Sequence, residues 1–187
     1  RVNMPMVYYH VWDNLPHPVF NDIYYRSTDK VVCISKVTHE ILQNVSPDVD
    51  SCYHPHAVNS NIFHKFKTDE AKARAQVIRN RIAVESTVTH KNIDKKIFFW
   101  NNRNARRKQS GTLVWWFKQF IDQIGHDQAT LLMHTDARDP HGQDLPHLIE
   151  HLGATDGQIM ISTTKVPPEE LAAMYNVADF TVNISDA

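Results

Sequence analysis

Glycine is scarce in this chain, with five residues in 187. None of them builds GxxxxGKS/T or GxGxxG, so a Walker phosphate loop and a dinucleotide fingerprint are both excluded. Cysteine is scarcer still: only Cys33 and Cys52 are present. Both lie in strand-like surroundings, so no disulfide framework is expected, and a reducing, cytoplasmic compartment fits better. Long apolar runs are missing. None reaches the length needed to cross a bilayer, and none reads as a signal peptide. Net charge is missing too, since 20 Lys and Arg against 21 Asp and Glu leave −1. Nothing here makes a global electrostatic footprint for nucleic acid or an acidic membrane, so any anion site must be local. What remains, 42% hydrophobic and 22% charged, is ordinary for a globular protein.

The clearest pattern runs from Lys96 to the end. Ile97 to Trp100 reads as a short apolar strand. Leu113, Trp116, Phe117, Phe120, Ile121 and Ile124 recur at helical spacing before Gly125, with Trp115 off that stripe. Ala129 to Met133, Gln158 to Ser162 and Phe180 to Ile184 read as three more strands. A helix around Leu145 to Leu152 and another opened by Pro167 and Pro168 separate them. Strands alternating with helices imply a parallel α/β sheet. The first part is α/β as well, with strands expected at Met6 to Tyr9 and Val31 to Ile34 and a short helix at Val37 to Val45. Between the halves, Thr68 caps a polar helix whose narrow apolar stripe is Ala71, Ala75, Ile78 and Ile82. The expected division is 1–60, a linker at 61–95, and 96–187. The chain opens on Arg1 and its last strand-like run ends near Ala187, so an excerpt of a longer protein is expected.

One loop stands out. After the aromatic run Phe98, Phe99 and Trp100 come Asn101, Asn102, Arg103, Asn104, Arg106, Arg107 and Lys108. With Trp100 at the carboxyl end of a parallel strand and a helix starting near Thr112, the loop lies where open α/β sheets bind ligands. A helix N-terminus suits phosphate, arginine adds a planar fork and lysine a point charge. A polyanion such as a diphosphate fits; so does a solvated basic turn.

The segment NRNARRK (102–108) resembles the first donor-domain loop of family 4 glycosyltransferases, above all a viral and bacterial subgroup with N-R-N-x-x-R-K. In the right order, DKVVCISKVTHEIL (29–42), YHPHAVNSNIF (53–63) and PPEELAAMYNVADFTVNISDA (167–187) resemble further segments of that family. The resemblance implies the GT-B fold: two Rossmann-like domains facing across a cleft. It is covered in part, as the end of the acceptor-side domain and the first half of the donor-side domain. It also implies transfer of a sugar from a nucleotide sugar, such as a UDP- or GDP-sugar, to the hydroxyl of a glycan, lipid or protein acceptor. Retention of configuration is implied, with no metal or other cofactor. A lipid acceptor would bring peripheral membrane association. The family's acidic E-G-F-G segment would follow Ser185 and is not in this sequence.

By the same resemblance, Arg103 and Lys108 match the diphosphate-binding arginine and lysine. They would stabilise charge that develops on the leaving group. Arg107 either joins them or packs locally. His10, ending PMVYYH, takes the place of a cleft histidine near the reacting sugar, with Asp13 a weaker candidate for acceptor contact. Lys165 and Val166 fall at the turn that covers the nucleobase, and His134 and Asp136 lie on the ligand edge beyond the second strand. His54 and His56 form an HPH pair, but no third ligand has recognised metal spacing. Two other readings stay open: a nucleotide-sugar epimerase of related fold, and a binding module without turnover.

Overall fold

The computed structural model describes residues 4–85, 92 and 94–186, apart from the side chains of 81–85. Much of the aperiodic stretch 85–96 therefore lies outside the described residues. Two compact units divide between Asn59 and Ser60.

The first unit is a three-stranded parallel sheet of β1 (Val7–His10), β2 (Lys30–Cys33) and β3 (Ser51–Tyr53), in that order. A short helix α1 (Asp22–Tyr25) precedes β2, and α2 (Lys36–Val45) joins β2 to β3. The start of α2 has a local cause. Ser35 is extended, and its hydroxyl accepts from the Thr38 backbone N–H at 3.0 Å. That satisfies a first-turn donor the helix cannot pair itself. Tyr25, Val31, Cys33 and Leu42 form the small core. Strand β3 has no counterpart in the sequence reading: three residues are too few to show alternation.

The second unit begins with the polar helix α3 (Asp69–Glu85) and continues as β4 (Lys96–Asn101), α4 (Ser110–Ile124), β5 (Ala129–His134), α5 (Leu145–His151), β6 (Ile159–Ser162), α6 (Pro168–Val177) and β7 (Phe180–Thr181). The strands are all parallel, in the order β6-β5-β4-β7. Alternate residues of β4 serve opposite faces, as the pleat requires. Phe98 and Trp100 pack with Leu113, Phe117, Ile121 and Leu145 of α4 and α5. Ile97 and Phe99 pack with Val177 and Leu171 of α6 and with Ala75 and Ile78 of α3. Two members of the expected narrow stripe of α3, Ala75 and Ile78, are thus partly buried against this core; the side chain of Ile82 lies outside the described residues.

Two expectations need correction. Trp116 is not core: it is 51% exposed, close to Trp115 at 47%, while Val114 is fully buried. The buried stripe of α4 centres on 114, 117 and 121, and an apolar pattern this wide does not reveal its centre. Strand β7 also stops at Thr181 rather than Ile184. Beyond Val182 the chain turns: Asn183 accepts from the Ser185 backbone and hydroxyl, and Asp186 N–H donates to the Arg107 carbonyl at 2.8 Å.

Asp179, just before β7, ties the second unit together. It accepts from the Ile97 backbone N–H at 2.8 Å and pairs with Arg79 of α3 at 2.9 Å. Arg79 also donates to the carbonyls of Val177 and Lys95, both at 2.9 Å.

Candidate functional site

In the order β6-β5-β4-β7, successive strands step outward from β4 on one side and then return to its other side. The switch point is therefore the gap between the carboxyl ends of β4 and β7, where open α/β sheets leave a crevice. A cavity of 290 Å³ lies there, lined by Phe99, Asn101, Asn102, Tyr175, Thr181, Val182 and Asn183. Asn101 donates to the Tyr175 hydroxyl at 3.1 Å.

The basic segment follows directly. Arg106, Arg107 and Lys108 form a 3-10 turn rather than an open loop. Gln109 then takes a left-handed conformation, φ 55° and ψ 33°, and α4 starts at Ser110 without a side-chain cap. Gly111 is thus inside the first turn of α4. The first-turn N–H groups have no intrahelical acceptor, and the helix dipole adds positive potential where three cations already stand. Among the described residues no ion pair holds Arg106, Arg107 or Lys108. Arg107 is exposed and Lys108 half-buried.

Arg103 differs. Its Nε donates to Asp139 at 2.6 Å and its Nη2 to the other carboxylate oxygen at 3.2 Å, with His141 Nδ1 3.0 Å from Nη2. The Arg103 guanidinium, helped by the His141 backbone N–H, holds the Asp139 carboxyl well below the usual carboxylate range. Arg103 itself remains 61% exposed and Asp139 only 10%. So Arg103 is an anchored cation whose Nη1 has no partner among the described residues, and part of its charge is already balanced.

Folded, Asp139 binds its proton less tightly than it would in the unfolded chain. Its contribution to stability is therefore present above the ordinary Asp value, about 3.9, and fades as pH falls below it toward the folded value. Asp139→Asn is expected to lose less stability than wild type on acidification from about pH 6 to about pH 3, read from urea midpoints. Equal losses would mean the pair is absent in solution.

Asn104 is the residue that sequence reasoning misplaced among the loop's polar groups. It is fully buried. Its amide donates to the carbonyls of Ala137 at 3.3 Å and Gln143 at 2.7 Å. Its carbonyl accepts from the Ser110 hydroxyl at 2.7 Å and the Gln143 backbone N–H at 3.2 Å. Asn104 thus clamps the basic turn to the loop after β5 and to the start of α4. Gly142 permits this approach, since a Cβ there would overlap the Asn104 backbone and side chain.

Along the same edge, His134, Thr135, Asp136, Ser162, Thr163 and Lys165 line a 410 Å³ cavity. His134 Nδ1 lies 3.0 Å from the Ser162 hydroxyl, and the buried Thr135 hydroxyl has no partner among the described residues. Val166 is half-buried and not among the lining residues.

In the first unit, His10 is 1% exposed at the carboxyl end of β1. It shares a 260 Å³ cavity with Tyr8, Val11, Trp12, Asp13 and Asn14. His56 Nδ1 lies 3.3 Å from the Tyr9 hydroxyl, which also donates to the His54 carbonyl. Among the described residues no three His, Cys, Asp or Glu side chains gather as a metal site, and no helix is long and apolar enough to cross a membrane.

No protein-family model and no curated protein matches the sequence. Solved structures do match in fold. An α,α-trehalose-phosphate synthase (UDP-forming) from Burkholderia vietnamiensis aligns with TM-score 0.67 at 10% identity, over 98% of this chain and 47% of its own. A glycosyltransferase from Rickettsia africae aligns with TM-score 0.60 at 18% identity, over 95% and 45%. The N-terminal domain of a Candida albicans trehalose-6-phosphate phosphatase aligns with TM-score 0.63 at 13% identity, over 86% and 39%. The chain spans less than half the length of these structures. Its fold is α/β with parallel sheets, of the GT-B type found in glycosyltransferases and covered in part.

Proposed function

We propose that the chain is part of a glycosyltransferase that moves a sugar from a nucleoside diphosphate sugar to an acceptor hydroxyl, with retention and without a metal. The observation that carries this reading is the basic 3-10 turn leading into the uncapped N-terminus of α4, at the carboxyl edge of the sheet. A departing diphosphate gains negative charge as the glycosidic bond breaks. Fixed cations and backbone N–H groups stabilise that charge more than they stabilise the ground state. Lys108, Arg107 and the open edge of Arg103 would supply the cations. Asp139 would hold Arg103 in place beforehand, which lowers the ordering cost of binding.

On this reading the 410 Å³ cavity beside His134 and Lys165 takes the nucleobase, and Val166 follows in the same turn. His10 is the first unit's residue assigned to the sugar. The donor would be a UDP- or GDP-sugar, and the acceptor a glycan, lipid or protein.

The test is calorimetric titration of the protein with UDP, GDP and ADP, beside Arg103→Ala/Lys108→Ala. One nucleotide is expected to bind in the micromolar range, and the double variant to lose about 2 kcal/mol of that binding. If none binds, or the variant binds as well as wild type, the basic turn is only solvated charge and the reading fails.

A further inference from the structure

His10 and Tyr25 form a buried pair in the first unit. The Tyr25 hydroxyl lies 3.0 Å from His10 Nε2, with the rings edge to face at 4.9 Å between centroids. Tyr25 is fully buried and His10 nearly so. The other ring nitrogen, Nδ1, is buried with no hydrogen-bond partner among the described residues. Which nitrogen carries the proton decides what the ring can do, and the hydrogen bond of a neighbouring residue favours one form.

Asn21 Nδ2 donates to the Tyr25 hydroxyl oxygen at 3.2 Å. An amide nitrogen can only donate, so the phenol oxygen is the acceptor there. The phenol then has one proton to place, and His10 Nε2 is the acceptor in reach. A nitrogen that accepts cannot also carry a proton. Burial pushes the His10 pKa down, which favours the neutral ring. A neutral imidazole with an accepting Nε2 carries its proton on Nδ1.

We propose that Tyr25, itself held by Asn21, is a positioning residue that fixes His10 in the Nδ1–H tautomer, so that Nδ1–H is the ring's unspent donor for an oxygen acceptor bound in the 260 Å³ cavity. His10 then acts as a neutral hydrogen-bond donor and not as a general base. A base would need a free lone pair, and the ring's one lone pair, on Nε2, is taken by Tyr25. Two features agree with a ligand there. A buried donor without a partner is costly, and a ligand oxygen would relieve that cost. The cavity also combines the apolar faces of Tyr8 and Trp12 with the polar groups of Asp13 and Asn14, a mixture that suits a hydroxyl-rich molecule. Under the glycosyl-transfer reading, on which only this last step rests, the acceptor atom is a hydroxyl oxygen of the sugar.

The test is two-bond nitrogen–proton correlation of the whole chain labelled with ¹⁵N-histidine, without any ligand, at neutral pH. His10→Gln assigns the His10 signals by their disappearance. Wild type is expected to show a protonated-type shift at Nδ1 and an unprotonated-type shift at Nε2. Tyr25→Phe is expected to move the ring toward the Nε2–H form. Asn21→Ala, which keeps the buried phenol, is expected to give a mixture and carries the test if Tyr25→Phe does not fold. An Nε2–H ring in wild type, or a tautomer unchanged in either folded variant, overturns the proposal. Failure to find transferase activity would count against glycosyl transfer and leave the tautomer assignment standing.

Discussion

Asn104→Leu is expected to destabilise the second unit by about 3 kcal/mol, because the leucine fits the volume but pairs with nothing. Four partners would lose their bond: the carbonyls of Ala137 and Gln143, the Ser110 hydroxyl and the Gln143 N–H. Each buried polar group left unpaired costs about 1–3 kcal/mol, and water entry would offset part of the sum. In a chain of this size that corresponds to a melting temperature lower by roughly 6–12 °C. The loss should also be visible locally, as faster amide exchange at 104–112 and 137–143. A variant that melts with wild type would show that the clamp is not formed in solution.

Asp179→Ala is expected to cost about 2–3 kcal/mol, a figure discounted because the pair keeps some contact with water. Asp179 and Arg79 retain 23% and 18% side-chain exposure. Three things are lost at once: the acceptor for Ile97 N–H at the start of β4, the counter-charge for an arginine already engaged by two carbonyls, and a looser ion pair with Lys96 at 3.8 Å. A double-mutant cycle with Arg79→Met isolates the arginine pairing. If the pair matters, the double variant should be less damaged than the two single losses added together. Strict additivity would mean that Asp179 acts through Ile97 and Lys96 and not through Arg79.

These two residues show what the sequence displays and what it hides. The alternation of strand and helix from Lys96 onward was legible because each element announces its own period. The place of the cation-rich turn, between the end of a parallel strand and the start of a helix, was legible as well. The motif residues were legible as letters but not as causes. Ser35 is a helix cap, which its spacing to Thr38 makes readable. Asp179 is a tie across the unit, which nothing near it in the chain suggests. Asn104 looked like one more amide in a polar loop. Its partners Ala137 and Gln143 lie more than thirty positions away, so no local pattern could mark it as buried. The same separation hid Asp139 as the anchor of Arg103. The phase of α4 failed for a different reason. Its apolar residues cover so much of the helix that Trp116 and Val114 are equal candidates for the core until packing decides.

The strand order β6-β5-β4-β7 also sets a schedule. One flank of β4 finds its partner early, because β5 follows after a single helix. The other flank waits for Phe180, which pairs with Phe98, and for Asp179, which receives the Ile97 N–H. During synthesis at about 5–20 residues per second, some eighty residues must emerge in between, so that flank stays open for roughly 4–16 s. For that interval the newborn chain presents an unpaired edge bearing Ile97, Phe98, Phe99 and Trp100, the kind of edge to which other chains adhere. The strand at the centre of the finished sheet is thus the one most in need of protection while the protein is being made.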